Sequence, residues 1–157
     1  MKKINKYFVF GVSDQMFALA LPFVEKVIQV VEITPLPKSP EHIFGIIDYH
    51  GQIIPVVNMR ILFGLPEKEI ELSDYLIITK TETRLVALLI DFIDDTIEKA
   101  DEEIGKSENF LLETRHVKGI LKLNDGAVLI HDLDQLLTSE EVKLLKAALI
   151  KQKENNK

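Results

Sequence analysis

The 157-residue chain contains no cysteine. That excludes disulfide staples, thiol catalysis and zinc–thiolate sites, and it agrees with a reducing cytosol. Long apolar runs are missing too. Lys2, Lys3 and Lys6 precede the apolar stretch Tyr7 to Val12, but Ser13-Asp14 ends it. The stretch is too short for a signal-peptide core, and no run approaches the ~18 residues of a membrane span. Phosphate-cradling GxxxxGK, GxGxxG, the GxSxG elbow and HExxH are all absent. Positive charge is scarce as well: 19 Lys and Arg face 25 Asp and Glu, a net charge of −6. The basic residues are dispersed, so wrapping a phosphate backbone is electrostatically unfavourable. These absences lead us to expect a cytoplasmic, non-enzymatic protein with no cofactor, no nucleic-acid partner and no membrane insertion.

The composition, 46% hydrophobic and 28% charged, is that of a globular domain long enough to bury a sizeable core. The chain is organised around Ile43 to Phe63, IFGIIDYHGQIIPVVNMRILF. Two β-branched runs flank Asp48-Tyr49-His50-Gly51, where Gly supplies the positive φ of a tight reversal, so the stretch predicts a β-hairpin. A second copy starts at His116, HVKGILKLNDGAVLIHDLDQLL. Gly45 corresponds to Gly119, Asn58 to Asp132 and Met59 to Leu133 at a spacing of 74, and Gly51 to Gly126 at 75.

The upstream sequence repeats more faintly. Phe8 to Val27 lies 69 positions before Ile77 to Thr96, which places Phe17-Ala18-Leu19 on Val86-Ala87-Leu88 and Phe23 on Phe92. Polar turns, Ser13-Asp14-Gln15 and Thr81-Glu82-Thr83, fall at nearly the same place. Any two alternating hairpins look somewhat alike, but two matching blocks in one order argue for two similar β units.

In chain order, residues 7–12 and 16–21 read as paired strands closed by Pro22, which lacks the N–H a ladder needs. Phe23 to Val31 fits a short helix leading into a strand, or a strand throughout. Thr34 to Pro40 is a proline-punctuated extended connector, and Ser39 is placed to cap one helical turn through Ile43. Asn58 is expected to cap a helix Met59 to Phe63, with Gly64 ending it. Pro66 to Glu71 reads as a charged loop between the halves. Tyr75 to Thr79 and Leu85 to Ile90 form the next strand pair. Asp91 to Glu103 reads as loop after Ile97, with Gly105 to Asn109 its exposed tip. His116 to Leu123 and Ala127 to His131 make the second hairpin around Asn124-Asp125-Gly126.

Asp132 echoes Asn58 as a cap for Leu133 to Leu137, and Thr138-x-x-Glu141 opens a last helix. Val142, Leu145, Ala148 and Leu149 share one face of it, and the polar tail from Lys151 is expected to fray. The fold class is therefore mostly β: two repeated, five-strand-like units that must share a core or close into barrels to hide their edges. One domain is expected over 1–157, with interleaved repeat halves at roughly 7–64 and 74–137 and a C-terminal helix at 138–152.

Catalytic constellations are hard to find. His42 and His116 each stand three residues before a hairpin Gly, a reflection of the repeat rather than a catalytic pair. His131 beside Asp132 has the composition of a metal-ligand pair, but a strand-end residue next to a helix cap is the simpler account. Asp91, Asp94 and Asp95 lack the alternating oxygen-ligand spacing of a calcium loop and read as a solvated face. Asp101 and Glu102 belong to the same charged region and carry no acid–base signature. What remains is surface: strand edges and barrel ends suited to docking other proteins.

The series Phe17-Ala18-Leu19, Val24, Val27-Ile28, Ile33-Thr34-Pro35-Leu36-Pro37, Gly45-Ile46-Ile47 and Gly51 to Asn58 resembles the CheW-type coupling proteins of bacterial chemotaxis. Leu88-Leu89-Ile90-Asp91 and Gly119, Asp125-Gly126 and Asp132-Leu133 match that family's second half. The resemblance covers essentially Tyr7 to Leu137.

This resemblance implies two five-stranded, SH3-like β-barrel subdomains around a shared apolar core, short helices, and an adaptor without enzymatic activity. It implies two partners, the cytoplasmic tip of methyl-accepting chemoreceptors and the regulatory domain of the histidine kinase CheA, and recruitment to membrane-associated receptor arrays. By resemblance, the partner-binding residues are Val27, Ile33, Asp48, Tyr49, His50, Gly51, Leu88 and Ile90. The family turn usually reads Asn-Leu-Arg-Gly, where this chain has Asp48-Tyr49-His50-Gly51. Arg brings a permanent charge and a five-donor fork, whereas neutral His brings one donor. Lys26 likewise stands where the family often carries Glu. Alternatives are a scaffold of the same fold in a non-motility pathway, or a stand-alone barrel holding a small ligand in a dry apolar pocket.

Overall fold

The computed structural model describes residues 3–81, 84–105, 117–123, 126–133 and 139–155. In the first part of the chain, Ile4–Val12 (β1), Gln15–Ala20 (β2), Val24–Gln29 (β3), Thr34–Pro35 (β4), Ile43–Tyr49 (β5) and Gln52–Val57 (β6) lead to the helix Met59–Phe63 (α1). Tyr75–Lys80 (β7), Leu85–Ile90 (β8), Phe92–Ala100 (β9), Ile104–Gly105 (β10), Val117–Leu123 (β11) and Gly126–His131 (β12) follow, and Ser139–Asn155 (α2) ends the series.

The protein is mostly β, in two sheets. Each has six strands rather than five, in the orders β10-β11-β12-β2-β1-β9 and β3-β7-β8-β6-β5-β4. The extra member is a two-residue edge strand in each, β10 and β4. Read outward from those short strands, the two sheets follow one plan: short edge, hairpin, a parallel seam, a second hairpin, long edge. The seams are β12–β2, pairing Leu129 with Phe17, and β6–β8, pairing Val56 with Ala87. The hairpin β1–β2 therefore joins strands from late in the chain, while β7–β8 joins strands from early in it.

Side-chain alternation sorts the core. In a strand, successive residues point to opposite faces. Phe8, Phe10 and Val12 of β1, Phe17 and Leu19 of β2, Ile77 of β7, and Val86, Leu88 and Ile90 of β8 form one cluster that spans both sheets. Their neighbours turn the other way. Tyr7, Val9 and Ala18 pack with Leu121, Val128 and Ile130 of the first sheet. Leu76, Ile78, Ala87 and Leu89 pack with Ile47, Ile54 and Val56 of the second. The four hairpin strands are thus buried on both faces, which is why they read as unbroken apolar runs.

Local chemistry sets the helix ends. Asn58 Oδ1 accepts hydrogen bonds from the N–H groups of Arg60 (3.1 Å) and Ile61 (3.3 Å), and Gly64 ends α1 in the left-handed region. α2 covers Leu36 and Ile46 with Leu145, Ala148 and the half-buried Leu149, the face expected from their spacing. Its first turn is tied down by Glu141, 3.3 Å from Nδ1 of the buried His42.

Of the two readings open for Phe23 to Val31, a short 3-10 turn at Leu21–Phe23 leads into strand Val24–Gln29, whose backbone pairs with β7. Other expectations are corrected. No helical turn follows Ser39. Its hydroxyl donates back to the Leu36 carbonyl at 2.8 Å, and Ile43 N–H closes a turn onto Pro40. The loop expected after Ile97 begins later: strand Phe92–Ala100 continues through Glu98, Lys99 and Ala100, paired along β1, and strand pairing overrides the low β-propensity of Glu and Lys. Gly105 pairs with Ile120 rather than starting an exposed tip. The last helix runs to Asn155 instead of fraying from Lys151. The remainder of the Gly105–Asn109 tip, His116, the Asn124-Asp125 turn, the Leu133–Leu137 helix beyond Leu133 and the Thr138 cap lie outside the described residues.

Candidate partner-binding surface

The β5–β6 turn is built from its own side chains. Tyr49 pairs with Gln52, leaving His50 and Gly51 as the two central residues, with φ of 52° and 83°. Positive φ at both positions is the signature of a type I′ hairpin turn, the hand that matches strand twist. Asp48 Oδ1 accepts the Gly51 N–H at 2.8 Å, holding the turn from outside. The Tyr49 ring meets the His50 imidazole edge-on, with ring centres 4.5 Å apart. Asp48, His50 and Gly51 are exposed and Tyr49 is half-buried. The tip thus offers a carboxylate, an imidazole and one aromatic edge.

Two further expected residues differ in where they lie. Ile33 and Tyr49 pack against the same cluster inside the second sheet. Val27 lies on β3, the opposite edge of that sheet, and packs against the cluster shared by both sheets. Lys26, beside it, is exposed. Leu88 and Ile90 do not join the surface. Both are 0% exposed in the shared core, because β8 is central in its sheet, so neither side chain has area to offer a partner.

Sequence reasoning missed a polar hub between the sheets. Arg60, on α1, grips Asp91 with both terminal nitrogens, Nη1 to Oδ1 at 3.0 Å and Nη2 to Oδ2 at 2.6 Å. Ser13 N–H, in the β1–β2 turn, donates to Asp91 Oδ2 at 2.7 Å, and Asp91 N–H donates to the Gly11 carbonyl at 2.9 Å. Lys68 Nζ adds 3.8 Å to Asp91 Oδ1 and 3.1 Å to Oδ1 of the buried Asp74. Asp91 is therefore paired, not part of a solvated face, while Asp94 and Asp95 are exposed. Burial pushes the Asp91 carboxyl up, but the Arg60 and Ser13 hydrogen bonds and the charges of Arg60 and Lys68 outweigh it and hold it below the usual value. Arg60 and Asp91 are far apart in sequence, and no periodic signal links them. His131, once considered beside Asp132, is buried with its ring edge-on to Phe63 at 5.4 Å.

Among the described residues there is no group of three or more His, Asp or Glu able to hold a metal ion. Nor is any helix there long and apolar enough to cross a membrane. Two sheets of one strand order, sharing a core and carrying a rigid polar turn, define a β-rich docking scaffold. The family model described as the CheW-like domain matches residues 6–141, and the chain belongs to that family.

Relatives agree along most of the chain. It is 25% identical over 134 residues to the chemotaxis protein CheW of Rhizobium meliloti, covering 84% of this chain and 86% of that protein. It is 26% identical over 134 residues to the CheW of Thermotoga maritima, covering 85% and 88%. The crystal structure of the scaffolding protein TtCheW from Thermoanaerobacter tengcongensis superposes with a TM-score of 0.77 at 26% identity, covering 88% of this chain and 95% of that one.

Proposed function

We propose that this protein is a non-enzymatic, cytoplasmic adaptor that couples the cytoplasmic tips of chemoreceptors to the regulatory domain of the histidine kinase CheA. The observation that carries the reading is the CheW-like match over residues 6–141, and a fold shared with a scaffolding protein supports it. An adaptor needs two faces that hold partners in fixed relation, and a shared core makes the two sheets move as one body. In this reading Val27, Ile33, Asp48, Tyr49, His50 and Gly51 are the docking residues. The turn differs from the family's usual Asn-Leu-Arg-Gly, so its partner is matched to a carboxylate and an imidazole rather than to a guanidinium.

The test is a chemical-shift titration of labelled protein with the organism's own CheA regulatory domain, then with a receptor-tip fragment. Localised shifts with both, on separate faces, are expected. Shifts with neither would overturn the adaptor reading; shifts with the kinase domain alone would reduce it to a kinase-binding regulator.

A further inference from the structure

Beside the Arg60–Asp91 hub, a pocket of about 490 Å³ opens between β5, α1 and the loop at 67–69. Phe44 and Ile61, both half-buried, form apolar walls. Glu41, Glu67 and Glu69 stand around it, all exposed, and none has a hydrogen-bond or ion-pair partner among the described residues. Two cations, Arg60 and Lys68, also line the pocket, but both are already paired: Lys68 with Asp74, Glu71 and Asp91, and Arg60 with Asp91.

The loop is braced rather than loose. Asp74 Oδ2 accepts the Glu71 N–H at 2.8 Å, and Asp74 N–H returns to the Glu71 carbonyl at 2.9 Å. That bracing holds Ile70 and Leu72 out in water, Leu72 at 89% exposure. Inside the pocket lining lies Arg60, whose side chain is only 9% exposed and whose Nε donor has no hydrogen-bond partner. Together the place combines unpaired carboxylates with apolar area, and a segment carrying an apolar side chain beside basic ones answers both.

We propose that this pocket and the adjoining Ile70–Leu72 ridge dock a segment of a protein partner in which an apolar side chain is flanked by Lys or Arg. The apolar anchor enters between Phe44 and Ile61, and the basic side chains meet Glu41, Glu67 and Glu69. The three unpaired carboxylates outnumber the two lining cations, which are already ion-paired, so the cleft favours a cationic partner. The site lies apart from the β5–β6 turn, and the inference does not depend on the adaptor reading.

The experiment titrates a short synthetic leucine–lysine peptide into the full-length labelled protein. Shifts concentrated at Phe44, Ile61 and 67–72 are expected, and a peptide with Glu in place of Lys should leave them unmoved. The double variant Glu67→Lys, Glu69→Lys should weaken binding by about tenfold. The double variant Asp94→Lys, Asp95→Lys makes the same change in net charge on β9 and should leave affinity within about twofold. All four positions are exposed, and retained amide dispersion checks folding. Equal weakening by both double variants, or shifts spread over the whole acidic surface, would overturn the proposal by reducing it to net-charge attraction.

Discussion

At the β4–β5 contact, a Cβ added to Gly45 would overlap the carbonyl oxygen of Thr34, with Pro35 pressing close behind. At the matching β10–β11 contact, a Cβ on Gly119 would meet the Ile104 side chain at 2.9 Å and the Gly105 carbonyl at 3.2 Å. Both repeat glycines are there because a short edge strand lies against them, yet one neighbour is backbone and the other mainly a side chain that can turn. The polar fastening differs too. Around the second sheet, α1, the 67–74 loop and α2 bring Arg60, Lys68, Asp74 and the His42–Glu141 pair. The long edge of the first sheet, β9, has five successive exposed residues from Phe92 to Thr96, with an irregularity opposite Val9. Equal topology therefore leaves room for unequal edges: one unit is braced, the other is blunted with charge and a bulge.

The largest expected effect tests whether the two sheets are one body. Phe17→Ala removes a fully buried ring from the shared cluster and should cost about 3–5 kcal/mol. Leu76→Ala, inside the second sheet alone, should cost about 2–5 kcal/mol. Urea denaturation followed at both sheets should show a single transition shifted in each variant. Two separated transitions would break the shared-core account.

Asp91→Asn comes next, because the residue joins β8 of one sheet to the β1–β2 turn of the other. Removing one partner of a buried pair costs about 3–5 kcal/mol, and the lower end applies to Asp91, which keeps 17% exposure. The pH dependence has a definite sign. The folded carboxyl titrates below its unfolded value of about 4, so its contribution is fully present above that pH and is lost as pH falls through the lower folded value. Stability against pH in the Asn variant should therefore show a shallower acid decline than the parent. An identical decline would mean that other carboxylates govern the acid limb.

The paired glycines sharpen the comparison further. Gly45→Ala should cost about 3 kcal/mol and Gly119→Ala about 1 kcal/mol, the two ends of the range for overpacking. Midpoints of thermal or urea unfolding decide it; equal losses would show that the β4 edge yields as readily as the β10 edge. Smallest of all is His50→Arg, which should leave stability almost unchanged and strengthen binding to a receptor suited to the family turn by at most about fivefold, the value of one exposed charged contact. Unchanged affinity by calorimetry would remove the turn from the deciding contacts.

Much of the fold was legible in particular residues. Asn58 and Gly64 announced α1, because a cap and a left-handed terminator are local devices that work within a few residues of themselves. His50-Gly51 announced the hairpin in the same way. Val142, Leu145, Ala148 and Leu149 announced the packed face of α2, though not the Leu36 and Ile46 it covers. The candidate surface was only partly legible. Leu88 and Ile90 sit in an apolar run that reads the same whether a strand is central or peripheral, and β8 turned out to be central. Glu98 to Ala100 read as loop because charged residues are poor strand formers, and pairing with β1 decided otherwise.

The sequence alone determined the alternation, the β5–β6 turn, the Asn58 cap and the family, since each is set by short-range backbone chemistry or by a residue order that can be read directly. Tertiary structure decided which hairpin joined which sheet, which apolar residues were left in water, and that Arg60 found Asp91. Those outcomes depend on contacts between residues tens of positions apart, and chain separation carries no local signal of a contact made only when both sheets have closed over one core.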